Sequence, residues 1–258
     1  MSMLLLGAGR AALTSPYDPD AATYIAAVEA TDGQALETST RQAIDAFFVG
    51  LKADGNLSKL KAACILGGAR TLAGSLVPLM ATMPAPTNFG FVAGDRSRAT
   101  GLAGDAASKY LGVNRNTNAD PQDNYHQAVY RTSGNTANQV LIGDDGSPTP
   151  ASNCLIYFSS TIRSRSRNSF ATTHGAFSGI GLIGTSRSGA TSYTFRCNQS
   201  SSSIAVNSQN PRDFATTVYG VPGILSGSRL LYYSVGEAVD LATLESRLNT
   251  LAAALATL

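Results

Sequence analysis

The 258-residue chain has no tryptophan, three cysteines, two histidines and four glutamates, and only 14% of its residues are charged. Each scarcity closes off a chemistry. With a formal net charge of +2, no field of one sign is available to gather a polyanion, so nucleic acid is not an expected partner. Glycoside hydrolysis needs two carboxylates flanking the scissile bond. Glu29, Glu37 and Glu245 lie outside the region read as strands, 88–235, and Glu237 falls just beyond its end. His126 and His174 have no cysteine or second histidine at ligand spacing, which argues against a metal. No Gly-x-Ser-x-Gly elbow precedes a helix, and Gly7 and Gly9 lack the βαβ unit of a dinucleotide fingerprint. The reading is of a protein that is not an enzyme and carries no cofactor.

Cys64, Cys154 and Cys197 form an odd set without metal-ligand spacing, and Cys154 and Cys197, in strand-like runs, read as buried reduced thiols. No stretch approaches the roughly 20 apolar residues of a membrane span. The apolar run Met3 to Leu6 is shorter than the roughly 7 to 15 residue core of a signal peptide. A soluble protein is expected, with no membrane insertion and no cleaved export signal.

What the chain does contain is Gly, Ser, Thr, Asn and Ala around short apolar runs. Residues 1–19 read as a docking arm, because Gly7, Gly9, Pro16 and Pro19 interrupt any helix, and Leu4, Leu5 and Leu6 are its candidate assembly residues. Residues 20–87 read as a helical segment and wrapping linker. Asp20 is the expected cap of a first helix carrying Tyr24, Ile25 and Val28, and Ile44, Phe47, Phe48 and Leu51 mark a second. A third is expected from Asn56 through Leu57, Leu60 and Cys64. The linker from Gly67 to Pro86 should bury Leu72, Leu76 and Leu79.

Residues 88–258 read as an antiparallel sandwich with a closing helix, since apolar alternation recurs between polar turns with no helices in between. Strands are expected at Lys109–Val113, Asn124–Arg131, Val140–Gly143, Leu155–Phe158, Gly179–Thr185, Tyr193–Cys197, Ile204–Val206 and Arg229–Val235, with the serines from Ser200 to Ser203 as a turn. Asp240 caps the last helix. Its Leu241, Leu244, Leu248, Leu251, Leu255 and Leu258 either pack on their own domain or, in the last turns and with Leu251 and Leu255 as the assembly residues, make a seam between copies.

Candidate binding residues are few. Asp120 and Asp123 form Asx turns or hold a hard cation such as calcium. Arg163, Arg165 and Arg167 share one face if extended, as a solvated sheet edge or as a holder of phosphate or acidic glycan. Tyr110, Tyr125 and Tyr130 pack in the core or serve as plates for a sugar.

One stretch also carries a resemblance. The order Gly104-Asp105, Tyr110-Leu111, a polar loop, then Val129-Tyr130-Arg131 resembles the opening of a concanavalin A-like or laminin G-like jelly roll. Residues 43–69, 181–198 and 230–248 extend the likeness, in order, to modules of bacteriophage virion proteins. The resemblance implies a mainly β, antiparallel jelly-roll sandwich with a small N-terminal helical segment and a C-terminal helix. It further implies a structural protein of a tail fibre, spike or other appendage, located in the virion and assembled in the host cytoplasm. Its partners would be other virion proteins, further copies of itself (a trimer, as in many fibres) and a host-surface glycan. The alternative is a glycan-binding receptor-recognition module, with Asp120, Asp123, Tyr125, Arg163 and Arg165 as its ligand residues; a polysaccharide hydrolase ranks below both.

Overall fold

The computed structural model describes residues 16–134, 139–144, 153–158, 161–176, 180–221 and 223–258; Leu4, Leu5 and Leu6 lie outside them. The first helix, α1 (Pro19–Asp32), is capped by Asp18 rather than by Asp20. Pro19 occupies the first helical position, where its missing N–H costs nothing, and the Asp18 carboxylate accepts from the Asp20 and Ala21 amides. The second, α2 (Thr38–Ala53), buries the expected Ile44, Phe47, Phe48 and Leu51.

The third expected helix is a strand. A single 3-10 turn at Leu57–Lys59 leads into β1 (Leu60–Ile65), which pairs antiparallel with the last strand of the chain. Leu57, Leu60 and Cys64 have helical spacing. Yet Ala62 and Cys64 belong to one apolar core while Leu60, Ala63 and Ile65 belong to another. A strand buried on both faces shows a continuous apolar run and not an alternation, which is why the period misleads. The linker holds one short helix, α3 (Leu72–Ser75), with Leu79 buried and Leu72 and Leu76 half-buried.

The strands that follow are β2 (Thr87–Phe89), β3 (Arg96–Ser97), β4 (Gly101–Ala103), β5 (Tyr110–Asn116), β6 (Tyr125–Ser133), β7 (Gln139–Asp144), β8 (Cys154–Phe158) and β9 (Thr161–Arg165). After them come β10 (Thr172–Ala176), β11 (Gly181–Arg187), β12 (Ser192–Cys197), β13 (Ser200–Ala205), β14 (Ala215–Val218), β15 (Gly220–Val221), β16 (Ile224–Leu225) and β17 (Arg229–Gly236). The helix α4 (Leu241–Leu255) closes the fold. The serine run is thus β13 and not a turn. The turn is Asn198 and Gln199, both with positive φ (49° and 62°), the geometry a two-residue hairpin needs.

Two antiparallel sheets make a sandwich, as expected. One runs β13-β12-β11-β6-β17-β4-β3, with β1 also on β17; the other runs β10-β9-β8-β7-β14-β5-β2. Val129, Ile183, Tyr233 and Val235 of the first meet Leu111, Val113, Ile142 and Val218 of the second in a core between the sheets. On its other face, the first sheet sets Ala128, Tyr130, Leu182 and Tyr232 against α1, α2 and α4. Gly184 allows that approach, since a Cβ there would lie 3.0 Å from Leu241. An ion pair of 2.6 Å between Arg196 and the buried Glu245, and another of 2.9 Å between Arg247 and Asp54, tie α4 down.

Leu251 and Leu255 are 1% and 0% exposed within this helix–sheet core. In the described residues they therefore pack within their own chain. Burial of that order makes Leu251→Ala cost about 2–5 kcal/mol. Urea unfolding of the variant should show the loss, and a loss below about 1 kcal/mol would contradict the packing assigned here.

Burial also fixes two imidazoles in the neutral form. His126 is fully buried; its Nδ1 donates to the Glu237 carbonyl at 2.5 Å, so Nε2 accepts from Ser234 Oγ at 3.0 Å. Desolvation pushes its pKa down to about 4, and does the same to His174. Asp144, 2% exposed, is pushed up to about 6 by burial. Unfolded imidazoles take protons near pH 6.5 and folded ones near 4, so the folded state loses stability as pH falls through that window. Asp144 opposes this, taking its proton near 6 when folded and near 3.8 when unfolded. With two groups against one, stability should fall by on the order of 2 kcal/mol between pH 6.5 and 4.5. Asp144→Asn should steepen the fall, and a urea midpoint equal at both pH values would refute the balance.

Candidate functional site

Helices cover one face of the first sheet, and the two sheets cover each other. Among the described residues, none covers the outer face of the second sheet near its β2 edge, where Phe89 is 41% exposed. Phe89 pairs with Tyr110, and Thr87 with Gly112, which pairs in turn with Thr217 across β5, so these residues share that outer face. Their neighbours Leu111 and Val113 point the other way, into the core.

The Phe89 and Tyr110 rings stack with centroids 4.4 Å apart and planes 9° from parallel. Phe89 keeps 41% of its surface in solvent. Gly112 makes room for the stack, since a Cβ there would crowd Phe89 Cε2 at 3.3 Å. Beside the rings β5 bulges. Between the Asn116–Ala215 and Gly112–Thr217 pairs it carries Val113, Asn114 and Arg115 where β14 carries only Thr216. The extra length is absorbed at Asn114, whose φ is 57°. Asparagine tolerates that left-handed conformation better than other residues with side chains, and bulges of this kind re-aim a side chain.

The Asn114 amide is held in place. Its Nδ2 donates to the Ala85 carbonyl at 2.7 Å and to Thr87 Oγ1 at 2.9 Å. Two residues on, Asn116 Nδ2 donates to Asp213 at 2.6 Å. The ring stack, both asparagines, Ala215 and Thr216 line a shallow groove of about 340 Å³, at the small end of the roughly 300–1,000 Å³ typical of ligand sites. The groove offers one apolar plate and a row of neutral amide and hydroxyl groups.

The residues singled out from sequence lie elsewhere. Asp120 is 3% exposed and takes both arms of Arg115, at 2.7 and 3.0 Å. Tyr125 is 1% exposed beneath the Arg167 guanidinium, 4.1 Å from its ring centroid. Arg167 also donates to the Asp120 carbonyl at 3.1 Å, so Asp120 and Tyr125 meet in an interior cluster and not on a ligand surface. Asp123 accepts from Ser208 Oγ. Arg163 and Arg165 are half-buried on β9, which lies inside β10 and so is no sheet edge. A φ of 59° turns Arg167 away from their face and into the protein, where it is 0% exposed. Of the three tyrosines weighed as plates, Tyr110 lies in the groove, whereas Tyr130 donates to Asn249 at 2.8 Å on the helix side. Sequence reading missed Phe89, Asn114 and Asn116 as site residues. A usable signal was present in Gly112-Val-Asn-Arg-Asn116, where glycine and asparagines, poor strand formers, interrupt a strand.

No protein-family model matches the chain, and no curated protein matches its sequence. Solved structures match its fold. Trypanosoma rangeli sialidase in complex with sialic acid superposes over 82% of this chain and 38% of its own, with a TM-score of 0.52 at 10% identity. The receptor binding domain of botulinum neurotoxin C/D mosaic serotype superposes over 75% of this chain and 51% of its own, with a TM-score of 0.52 at 7% identity. The binding domain of botulinum neurotoxin serotype D gives 74%, 51%, 0.52 and 8% for the same measures. This chain thus spans about half or less of each, and at such identities the likeness is one of fold, a jelly-roll sandwich.

The bulge makes its own prediction. Asn114→Ala keeps the left-handed backbone and loses the amide bonds, and should cost about 1–3 kcal/mol. Asn114→Gly removes the backbone strain and should cost less. Equal unfolding free energies for the two variants would show that φ at this position is not constrained.

Proposed function

We propose that the chain is a carbohydrate-binding module and that the groove beside Phe89 and Tyr110 holds the sugar. The observation that carries this is the solvent-facing aromatic stack set against amides already fixed by their own hydrogen bonds. A pyranose presents a face of slightly positive C–H groups, which suits the negative face of an aromatic ring, and a rim of hydroxyls, which suits amides and threonine. Fixed amides also lose little entropy when a ligand docks.

Among the described residues, those lining the groove are aromatic, amide, hydroxyl and small side chains, groups suited to holding a sugar. Among the fold neighbours, one is a sialidase solved with sialic acid and another is a receptor binding domain. Glycan and receptor recognition are therefore uses to which this architecture is put, an analogy of fold that the site has to justify by itself. Joined to the sequence resemblance, the reading is of the receptor-recognition element of a virion appendage.

The test is an array of immobilised neutral and sialylated oligosaccharides probed with the wild-type chain and Phe89→Ala. Wild type should bind a defined subset, and the variant should bind it at least about tenfold more weakly, about 1.4 kcal/mol. Binding unaffected by the substitution would remove the groove from the function.

A further inference from the structure

The first sheet runs one strand farther than the second can cover. On β12, Tyr193 and Phe195 face the core between the sheets and are 2% and 4% exposed. Their partners on β13 are Ile204 and Ser202, while Cys197 pairs with Ser200, so these three β13 residues face the same way. The second sheet stops at β10. Where its cover ends, the inner face of the first sheet changes from aromatic to hydroxyl, and Ser200 and Ser202 stand exposed. The result is an open trench of about 500 Å³ between the two sheet edges.

The floor of this trench is built. The His174 ring lies on Phe195 with centroids 3.5 Å apart and planes 8° from parallel. His174 Nε2 and Ser164 Oγ are hydrogen-bonded at 2.7 Å, and the same Oγ meets Tyr193 OH at 2.9 Å. Ser164 and Tyr193 are buried, so the imidazole is gripped from beneath by a stack and a relay that water does not reach. Thr172, Thr173, Ser200 and Ser202 also line the opening.

The chemistry of the lining selects a ligand. Among the described residues it contains no Asp, Glu, Lys or Arg, and burial keeps His174 uncharged near neutral pH. An ionic ligand would enter without a counter-charge, which is costly in a partly desolvated slot. A ligand with an apolar face and many hydroxyls would find a ring to lie on and alcohol and amide groups to bond. We infer that the trench between β10 and β13 is a second binding site, separate from the outer-face groove, for an uncharged polyhydroxylated ligand of the neutral-oligosaccharide class.

The two histidines make the test direct. His126 lies in the core and reports the integrity of the fold, while His174 reports the trench. The probes are maltotetraose, cellotetraose and a β-1,4-linked galactotetraose, with 3′-sialyllactose as the anionic comparator. Each is titrated into the full chain while imidazole resonances are followed by NMR. At least one neutral probe should move His174 and leave His126 in place. The same titration should persist in Phe89→Ala and weaken at least tenfold in Ser202→Trp, where an indole on the exposed edge strand fills the opening. An unchanged His126 signal in that variant shows that it folds. If no neutral probe moves His174, if Ser202→Trp titrates like wild type, or if the sialoside is bound equally well, the assignment is wrong. A probe that binds wild type and is lost only in Phe89→Ala supports the outer groove and overturns the trench, so the two readings fail separately.

Discussion

Everything in this fold is arranged around a strand with no free face. β17 is buried along nearly its whole length and pairs with β6 on one side and with both β4 and β1 on the other. Leu231 and Tyr232 go to the helix layer, while Leu230, Tyr233 and Val235 go to the core between the sheets. Two consecutive residues reach the same core because the register slips between Leu230 and Tyr232. A strand so placed requires cover on both sides, so the helices and the second sheet are obligatory partners and not appendages. It follows that the segment before the sandwich, through β1, is part of the same body. Among the described residues, two of the surfaces this leaves free are the outer face of the second sheet and the margin where the first sheet outruns it.

The loop end of the sandwich is held by arginines in place of apolar packing. Arg187 is fully buried and donates to the carbonyls of Ser166, Gly189, Ala190, Ser192 and Val206 at 2.8–3.3 Å. One planar guanidinium thereby satisfies carbonyls from three separate segments, a task for which five fixed donors suit it better than an ammonium. Arg167 does related work against Tyr125 and the Asp120 carbonyl. Burial disfavours the charge of both. The many carbonyl partners of Arg187 offset part of that cost.

This explains which parts of the molecule are legible in its sequence. Helices α1, α2 and α4 announce themselves because their apolar spacing and caps are local, and so do most strands flanked by turn residues. β1 hides because burial on both faces erases alternation. The arginine run misleads because its two-residue period holds only to Arg165, and one positive φ ends it. The leucines of α4 are visible as an apolar stripe, but the stripe does not say whether its partner is the same chain. The outer-face groove is less legible still. Its plate comes from β2 and β5 and its wall from β14, and only the register of three strands distant in sequence brings Phe89, Tyr110, Asn114 and Thr216 together.

Both candidate sites sit on sheet strands and not on long loops, and that has consequences for affinity. A ring stack fixed by register and an imidazole fixed by a buried relay are pre-organised, so little ordering cost is added on binding. Both are nevertheless shallow, and a shallow site cannot bury enough of a sugar to hold it tightly by itself. Two such sites on one chain change the arithmetic when they meet a polymer. A polysaccharide held in one site presents further residues to the other at an effective concentration set by its own length, and joint occupancy can exceed either affinity by about 10²–10⁴. The gain exists only for ligands long enough to pass from the outer face of the second sheet to its β10 edge. On the proposed reading of both sites, a repeating polymer would gain from this arrangement where a short free sugar would not.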